Sequence, residues 1–366
     1  MTKTILFTVT NDLIYDQRMI RICSTLSTHG YAVKLIGRKL PNSQELSPQP
    51  FKQKRLFCFF RNGKLFYLEY NIRIFWYLLF SKCDAICGID LDTLGPCYLV
   101  SRLRNKKLIY DAHEYFTEVP EVVNRPLVKK IWTLLEQMIV PKVKHAYTVC
   151  ESIAEMFLEK YNTPFEVIRN VPFKQISVAG IQKSSPKVIL YQGALNAGRG
   201  LEETIMAMQT VDGAVLLLVG EGDFSQKLRD LVTKLSLQDR VIFKGYLRPD
   251  QLKTITPMAT IGLNLLQNKG LSYYYSLANK AFDYIQALVP AINMNFPEYQ
   301  KLNKAFETSI LLDHLDPQLI SQSINELLTN QDLYTTLQSN CKRASQIYIW
   351  EEEEKKLISF YNNLFR

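Results

Sequence analysis

The stretch "KVILYQGALNAGRGLEETIMAM", residues 187–208, is the part of the sequence that decides the fold class. Its apolar run at 188–190 predicts a strand, and the segment "ETIMAM" predicts a helix. A glycine-rich turn between them presents unpaired N–H groups and the positive end of the helix dipole to a phosphate. Gly193, Gly198 and Gly200 match neither the G-x-G-x-x-G pattern nor the Walker A loop. The turn therefore predicts a phosphate site of another kind, with a tight turn carrying an exposed arginine as the alternative.

Strands and helices alternate on both sides of this turn. Strands are predicted at "TILFTV", "DAICGI", "KKLIYDAH" and "HAYTVC" before it, and at "AVLLLVGEG", "RVIFKGYL", "IGLNLL" and "PAINMN" after it. The helices predicted between them include segments near 66–82, 93–104, 126–143 and 278–287. Such alternation implies parallel strands joined by helical crossovers, which is a doubly wound α/β architecture.

The polar segment 172–186, with a proline at each end, predicts a linker between two units of similar size. We therefore predict two tandem Rossmann-like domains, at residues 1–171 and 187–345. They are expected to face a cleft at the carboxyl ends of their sheets, where α/β proteins bind ligands. Residues 346–366 predict an amphipathic helix with Leu357, Phe360 and Leu364 on one stripe.

The composition of the 366 residues is that of a globular protein, with 47% hydrophobic and 22% charged residues. Seven scattered cysteines indicate reduced thiols of a cytosolic protein rather than a disulfide framework. The apolar stretch at the start is too short for a signal peptide, and the run 72–80 contains Arg73 and is too short to span a bilayer. We expect a cytoplasmic protein. Its net charge of +9 indicates an anionic partner, a nucleotide or a membrane surface before nucleic acid, with a generally basic surface that keeps the protein soluble as the alternative.

Four post-strand turns of the second domain carry candidate binding residues. Arg199 lies beside Gly198 and Gly200, where it could neutralise a diphosphate. Glu221 lies between two glycines of the next turn, and Gly245, Tyr246 and Leu247 could read a nucleotide base with their backbone. In the fourth turn Lys280 and Asp283 share a helix face next to Asn279. We predict that Lys280 binds phosphate and Asp283 binds ribose hydroxyls; a surface ion pair is the alternative.

Polar residues also follow the strands of the first domain. The loop after the first strand contains Asn11, Asp12, Asp16 and Arg18, which suit a hydroxyl-rich ligand, with a plain N-cap cluster as the alternative. Asp90 and Asp92 follow another strand. Asp111, His113 and Glu114 follow the next one, and such a cluster makes His113 a catalytic candidate.

No metal site is predicted. Cys83 and Cys87 lack a second ligand pair at a suitable spacing. The string Asp90-Leu91-Asp92 matches a D-x-D motif, but it lies in the domain opposite the predicted diphosphate site.

In combination these motifs resemble the GT-B fold glycosyltransferases, most closely the retaining family 4. The resemblance covers nearly the whole chain and is carried, in order, by "TNDLIYDQR", "DLDTL", "YDAHE", "VIRNVP", "YQGALNAGRGL", "VGEG", "FKGYL", "LANKAFDYIQALVP" and "IWEEEEKKL".

The resemblance implies a nucleotide-sugar donor, UDP- or GDP-linked, in the C-terminal domain and an acceptor in the N-terminal domain. Arg199 would grip the donor diphosphate, Gly193 would let the donor approach, and the backbone near Tyr246 would hold the base. Asp283 would match the second carboxylate of the E-x7-E pattern and contact the ribose. His113 would lie beside the transferred sugar, and the final helix would cross back to the first domain. No cofactor beyond the nucleotide-sugar co-substrate is implied.

Two positions depart from the family pattern. Ala194 stands where the family has a basic residue, a loss for which Lys280 could compensate, and Tyr275 stands at the first glutamate of E-x7-E. The predicted catalytic set is therefore His113, Arg199 and Lys280. Asn11, Asp12, Asp16, Arg18 and Asp92 form the predicted acceptor site.

Two rivals to transfer onto a glycan or lipid-linked acceptor remain open. One is a nucleotide-sugar epimerase of the same fold, and the other is a non-catalytic scaffold of a glycan-assembly complex. The aromatic segment 66–82 and the basic charge suit peripheral docking on an anionic membrane, although a buried helix would explain the same aromatic residues.

Overall fold

Two parallel sheets carry the fold, one in each of two units of the chain. A computed structural model describes residues 2–14, 16–175 and 186–366. Unit 1 comprises residues 1–170 and 353–366, and unit 2 comprises residues 171–352. Most of the linker predicted at 172–186 lies outside the described residues.

Unit 1 contains a seven-stranded sheet in the order β3-β2-β1-β4-β5-β6-β7. Its strands are β1 (Thr4–Thr8), β2 (Ala32–Lys39), β3 (Lys52–Phe57), β4 (Ala85–Ile89), β5 (Lys107–Ala112), β6 (Ala146–Thr148) and β7 (Glu166–Val167). Its helices are α1 (Gln17–Thr28), α2 (Gly63–Phe80), α3 (Asp90–Leu103), α4 (Pro120–Val123), α5 (Pro126–Ile139) and α6 (Glu151–Tyr161). The central strands are almost fully buried, as expected for parallel strands covered on both faces.

Unit 2 contains a six-stranded sheet in the order β10-β9-β8-β11-β12-β13. Its strands are β8 (Lys187–Gln192), β9 (Ala214–Val219), β10 (Val241–Gly245), β11 (Ile261–Asn264), β12 (Ala291–Met294) and β13 (Ser309–Leu312). Its helices are α7 (Leu201–Ala207), α8 (Ser225–Lys234), α9 (Pro249–Ile255), α10 (Leu271–Tyr274), α11 (Asn279–Gln286), α12 (Pro297–Ala305), α13 (Pro317–Thr329) and α14 (Gln331–Ala344).

The predicted doubly wound α/β class is confirmed in both units. In each sheet the strand order reverses once, between β1 and β4 in unit 1 and between β8 and β11 in unit 2. Ligands of open α/β sheets bind at the carboxyl ends of the strands beside this reversal. The fold therefore singles out the loops that follow β1, β4, β8 and β11.

The predicted helices differ from the observed ones mainly at their ends. The helix predicted at 66–82 spans Gly63–Phe80. The helix predicted at 126–143 ends at Ile139, where Pro141 forces a 3-10 turn over Val140–Lys142. Strand β3 and the pair α12–β13 were not predicted, because short edge strands bury too little apolar surface to produce a distinct pattern.

The last helix, α15 (Trp350–Phe365), carries the chain back to unit 1, to which Glu353 and all later residues belong. Tyr361 of this helix is fully buried, and its hydroxyl lies 3.2 Å from the Tyr147 hydroxyl of β6. Glu353 accepts a hydrogen bond from the backbone N–H of Arg169 at 2.9 Å. The carboxyl end of the chain thus completes the core of unit 1. None of the described helices combines the length and the apolar character needed to cross a membrane.

Candidate functional site

In unit 2, glycine residues stand at the carboxyl ends of three neighbouring strands. Gly193 follows β8, Gly220 follows β9, and Gly245 closes β10. Gly220 donates to the carbonyl of Gly245 at 2.8 Å, and Gly193 donates to that of Val219 at 2.9 Å. At Gly220, where φ is +135°, an added Cβ would lie 1.9 Å from the Gly193 carbonyl oxygen. No side chain fits there, so the ends of β8 and β9 can lie this close together only with glycine at position 220.

The turn after Gly193 presents the guanidinium group of Arg199. Gly198 and Gly200, with φ of +81° and +64°, shape the turn on either side of this residue. The guanidinium lies over the ring of Tyr273, 5.0 Å from its centroid. Within the described residues Arg199 has no hydrogen-bonded or ion-paired partner, and its Nε atom is buried without one. The charge of this arginine is therefore available to an anion.

Lys280 reaches the same turn from the first turn of α11. Its Nζ atom lies 3.8 Å from the centroid of the Tyr191 ring and 3.3 Å from where a Cβ of Gly193 would stand. Burial and the positive charge of Arg199 lower the pKa of Lys280 well below its usual value, against the opposing effect of Asp283. Lys280 forms no ion pair among the residues that the structure describes. It thus approaches the position at which the family pattern is missing a cation, Ala194.

Asp283 is oriented by the last residue of β8. Gln192 donates from Nε2 to Asp283 at 2.9 Å and accepts from the hydroxyl of Thr256 at 2.8 Å. Gln192 is not among the predicted site residues, although a polar residue at the end of the apolar strand "VILYQ" is a usable signal for a site.

The remaining predicted donor residues are more exposed. Glu221 accepts from Arg229 at 2.8 Å, and Tyr246 is 53% exposed. Leu247 packs against the apolar cluster under β8 and β9, and Asn279 opens α11 at the surface. At the position of the missing carboxylate, the ring of Tyr275 lies 5.3 Å from that of Tyr274.

In unit 1 the ends of β4 and β5 bring His113 between two carboxylates. The Nε2 atom of His113 lies 3.0 Å from Asp111, and its backbone N–H donates to Asp90 at 2.8 Å. Burial alone would lower the pKa of His113, but Asp111 and Asp90 raise it to about 9. His113 is consequently an imidazolium at neutral pH. Asp111 was noted beside His113 in the sequence, but its role as the partner of that ring was not predicted.

Arg18, predicted as an acceptor contact, is instead buried behind the histidine. It is 2% exposed and donates to Asp111 at 2.9 Å and to the carbonyl of Ile168 at 2.8 Å. Burial opposes the ionisation of Asp111, yet Arg18 and His113 hold the pKa of that carboxyl below its usual value. Arg18 therefore positions Asp111, and through it His113, and does not itself face a ligand.

Asp92 is also buried, in the first turn of α3. It accepts from the hydroxyl of Thr10 at 2.8 Å, and burial together with the charge of Asp90 raises its pKa to about 7.

The loop after β1 holds the other predicted acceptor residues. Asp16 caps α1 by accepting from the N–H of Met19 at 3.0 Å, and it also accepts from Asn11 at 2.7 Å. Asp12 accepts from the hydroxyl of Ser43 at 3.3 Å. For Asp16 the plain N-cap alternative thus describes the observed contacts, whereas Asn11 and Asp12 remain half-buried or exposed in the loop.

No group of three or more His, Cys, Asp or Glu side chains suitable for a metal ion occurs within residues 2–14, 16–175 and 186–366.

Comparison with known proteins shows similarity to glycosyltransferases. Residues 173–344 match the family model of glycosyl transferases group 1. An uncharacterized glycosyltransferase of Methanocaldococcus jannaschii is 22% identical over 234 residues, which are 58% of this chain and 58% of that protein. The matched region thus spans little more than half the length of that relative.

Two solved structures are similar over nearly the whole chain. Sucrose-phosphate synthase from Thermosynechococcus elongatus has a TM-score of 0.81 at 18% identity, covering 99% of each chain. Anabaena HepE in complex with UDP and glucose has a TM-score of 0.76 at 13% identity, covering 99% of this chain and 100% of that one. The chain therefore has the GT-B fold of glycosyltransferases.

Proposed function

We propose that the chain is a retaining glycosyltransferase. It transfers a hexosyl or N-acetylhexosaminyl group from a UDP- or GDP-sugar to a glycan or lipid-linked acceptor, in the synthesis of a surface polysaccharide or glycoconjugate. The observation that carries this proposal is the pair of cations, Arg199 and Lys280, that lack a counter-ion in the described structure beside three glycine-ended strands.

A nucleoside diphosphate supplies the negative charge that balances Arg199 and Lys280 at this edge of the sheet. Two positive groups held close together repel each other, and a diphosphate between them relieves that repulsion. The glycine turn at Gly198 and Gly200 lets its oxygens approach the backbone, where N–H groups of the turn act as further donors. The UDP bound to HepE, a protein of the same fold, supports a uridine nucleotide as the first candidate.

The other donor contacts follow from the same edge. Asp283, held by Gln192, accepts hydrogen bonds from ribose hydroxyls, and the backbone at Gly245, Tyr246 and Leu247 reads the base. Gly193, Gly198 and Gly200 form the turn around the phosphates, with Glu221 and Asn279 at its sides. Unit 1 supplies the acceptor site and the His113 imidazolium, which donates a hydrogen bond to the transferred sugar.

In the reaction, the bond from the anomeric carbon to the diphosphate oxygen breaks and its electron pair stays on that oxygen. The acceptor hydroxyl forms the new bond to the same carbon, and its proton passes to the leaving diphosphate. Charge therefore develops on the phosphate, where Arg199 and Lys280 stabilise it most in the transition state. We propose that these residues perform the step without a metal ion.

Calorimetry with UDP and with GDP tests the donor site. We expect the wild-type protein to bind one of them, and Arg199→Ala to weaken binding at least about tenfold, since charge-assisted hydrogen bonds are lost. Arg343→Ala is the matched control, because Arg343 also lies over an aromatic ring, 5.6 Å from the Phe306 centroid, but far along the chain on α14. Equal losses in the two variants, or no binding by the wild type, would contradict the proposal.

Turnover separates transfer from the two rivals. A panel of UDP- and GDP-sugars is incubated with the protein and candidate acceptors, and the released nucleotide and the sugar products are identified. A transferase releases the diphosphate in step with a product of retained anomeric configuration. An isomerised nucleotide sugar formed without acceptor identifies an epimerase. A protein that binds no donor and turns over none is a scaffold.

A further inference from the structure

Helix α2 is apolar on two sides. One stripe packs into the core of unit 1 and consists of Phe66, Tyr70, Ile74 and Leu78. A second stripe at helical spacing faces solvent, and its members are 49–78% exposed: Leu65, Leu68, Ile72, Trp76 and Phe80. A surface helix normally turns polar side chains outward. The buried-helix alternative of the sequence therefore explains only the first stripe.

Two neighbouring helices continue the exposed apolar surface. Leu99 and Leu103 of α3 are 53% and 68% exposed. Helix α5 carries an exposed row at helical spacing, formed by Leu127, Ile131, Leu134 and Met138. Between the three helices lies a groove of about 1160 Å³, whose walls include Tyr67 and Trp132 in edge-to-face contact at 5.6 Å. We call this surface, formed by α2, α3 and α5, the three-helix face. Apolar patches of such extent mark protein or membrane contacts.

The charges at the groove are of one sign. Lys64 and Arg125 line it, and no carboxylate does. Two acids of the same region are already paired, Glu69 with Arg73 at 2.7 Å and Glu118 with Lys129 at 2.5 Å. Neither Lys64 nor Arg125 forms an ion pair within the described part of the chain. An occupant of this surface therefore combines apolar groups with negative charge.

We propose that the three-helix face docks unit 1 on the surface of an anionic bilayer. Exposed leucine, isoleucine and aromatic side chains enter the boundary between headgroups and acyl chains, and the groove takes up hydrocarbon. Trp76 suits that boundary, where indole rings accumulate. Lys64 and Arg125 meet anionic headgroups. A second copy of the chain fits less well, because a two-fold contact would bring the same cations of both copies together.

This inference is independent of the proposed transfer reaction, since it rests on other residues and is measured without a sugar donor. The experiment is cosedimentation with vesicles of pure phosphatidylcholine and of an equimolar mixture with phosphatidylglycerol. We expect binding to the mixed vesicles that weakens at high salt, and much weaker binding to the neutral ones. Tryptophan emission should shift to the blue on binding, because Trp76 is 53% exposed whereas Trp350 is fully buried.

Variants with matched controls locate the surface. Leu127→Ser with Ile131→Ser should reduce vesicle affinity at least about tenfold through lost apolar contact. The control Leu158→Ser changes a leucine of α6 that is 49% exposed and should bind like the wild type. Lys64→Ala and Arg125→Ala should each cost about fivefold on mixed vesicles, whereas Lys234→Ala on α8 should cost nothing. All these side chains are exposed, so the variants should fold, and circular dichroism checks this.

Three results would overturn the proposal. The first is a wild-type protein that binds no vesicles, and the second is an α5 double variant that binds as well as its control. The third is a wild type that forms dimers which the α5 double variant abolishes, while vesicle binding is unchanged. That result would assign the three-helix face to self-association.

Discussion

Lys280 holds its amino group where a positive charge is unfavourable. Burial and Arg199 lower its pKa, and its Nζ atom lies 3.8 Å from the centroid of the Tyr191 ring. A bound diphosphate favours the charged form and so raises the pKa of Lys280. Between the lowered pKa of the free protein and the raised pKa of the complex, binding must therefore take up a proton.

The first prediction follows from that linkage. UDP affinity should fall as the pH rises through this interval, by up to about tenfold per pH unit. Calorimetry in two buffers of different ionisation enthalpy measures the proton uptake directly. Lys280→Met should bind more weakly and lose this uptake, while Arg343→Ala should retain it. An unchanged uptake in Lys280→Met would remove Lys280 from the phosphate site.

At the scale of single residues, sequence reasoning found positions more readily than roles. Arg18 and Asp92 look like ligand groups in the sequence, yet they lie behind the surface at 2% and 6% exposure. Only the distance from Arg18 to Asp111, residues far apart along the chain, shows that the arginine supports His113. A cluster of polar residues after a strand indicates a candidate site, but it cannot indicate which of these side chains is buried.

At the scale of elements, the ends of β8, β9 and β10 can pack closely together because glycines stand there. Gly220 combines a positive φ with a Cβ position that would overlap the Gly193 carbonyl oxygen. Gly213 also has a positive φ, +68°, but nothing lies within 4 Å of its Cβ position. An alanine at position 213 would therefore suffer only the strain of a positive φ, whereas one at position 220 would also clash with the Gly193 backbone.

The second prediction compares Gly220→Ala with Gly213→Ala. Both should lose about 1 kcal/mol or more of unfolding free energy from the strained φ. Gly220→Ala should lose about 1–3 kcal/mol more through the forced shift of β8 against β9, and it should also weaken UDP binding. Denaturant unfolding and calorimetry provide the two measurements. Equal unfolding free energies of the two variants would show that β8 can shift against β9 without loss of stability.

Elements differed in how far their sequences could predict them. The strands of the sheet centres were predicted because they are continuous apolar runs, such as "AVLLLV" of β9. Strand β3, "KQKRLF", escaped because an edge strand half open to solvent keeps charged side chains. Helix α2 was predicted as a helix, but its two opposed apolar stripes become meaningful only when one of them is seen to be buried.

At the scale of the whole molecule, unit 1 is assembled from two distant parts of the chain. Residues 353–366 join residues 1–170. Tyr361 contacts the rings of Phe7 in β1, of Tyr31 directly before β2, and of Tyr147 in β6. The last helix of this sequence therefore fills a core whose first strand begins at Thr4.

The third prediction concerns Tyr361. Tyr361→Ala should lower the unfolding free energy of unit 1 by about 3–5 kcal/mol, as for other large aromatic residues removed from a core. Tyr361→Phe should lose only about 1 kcal/mol, since it removes the hydroxyl contact with Tyr147 and keeps the ring. Hydrogen exchange of β1 and β6 reports on this unit alone, and Asn363→Ala, at an exposed position of the same helix, is the control. Unchanged protection in Tyr361→Ala would mean that the helix is dispensable.

The return of α15 has a consequence for biosynthesis. A ribosome delivers the chain from its amino end, so residues 353–366 of unit 1 are polymerised only after the whole of unit 2. Until residues 353–366 emerge, the nascent first unit leaves exposed the apolar surface that Tyr361 and Leu364 cover in the folded chain. Chaperones therefore meet an incomplete unit 1 throughout the synthesis of unit 2, which departs from the usual amino-to-carboxyl order of domain maturation.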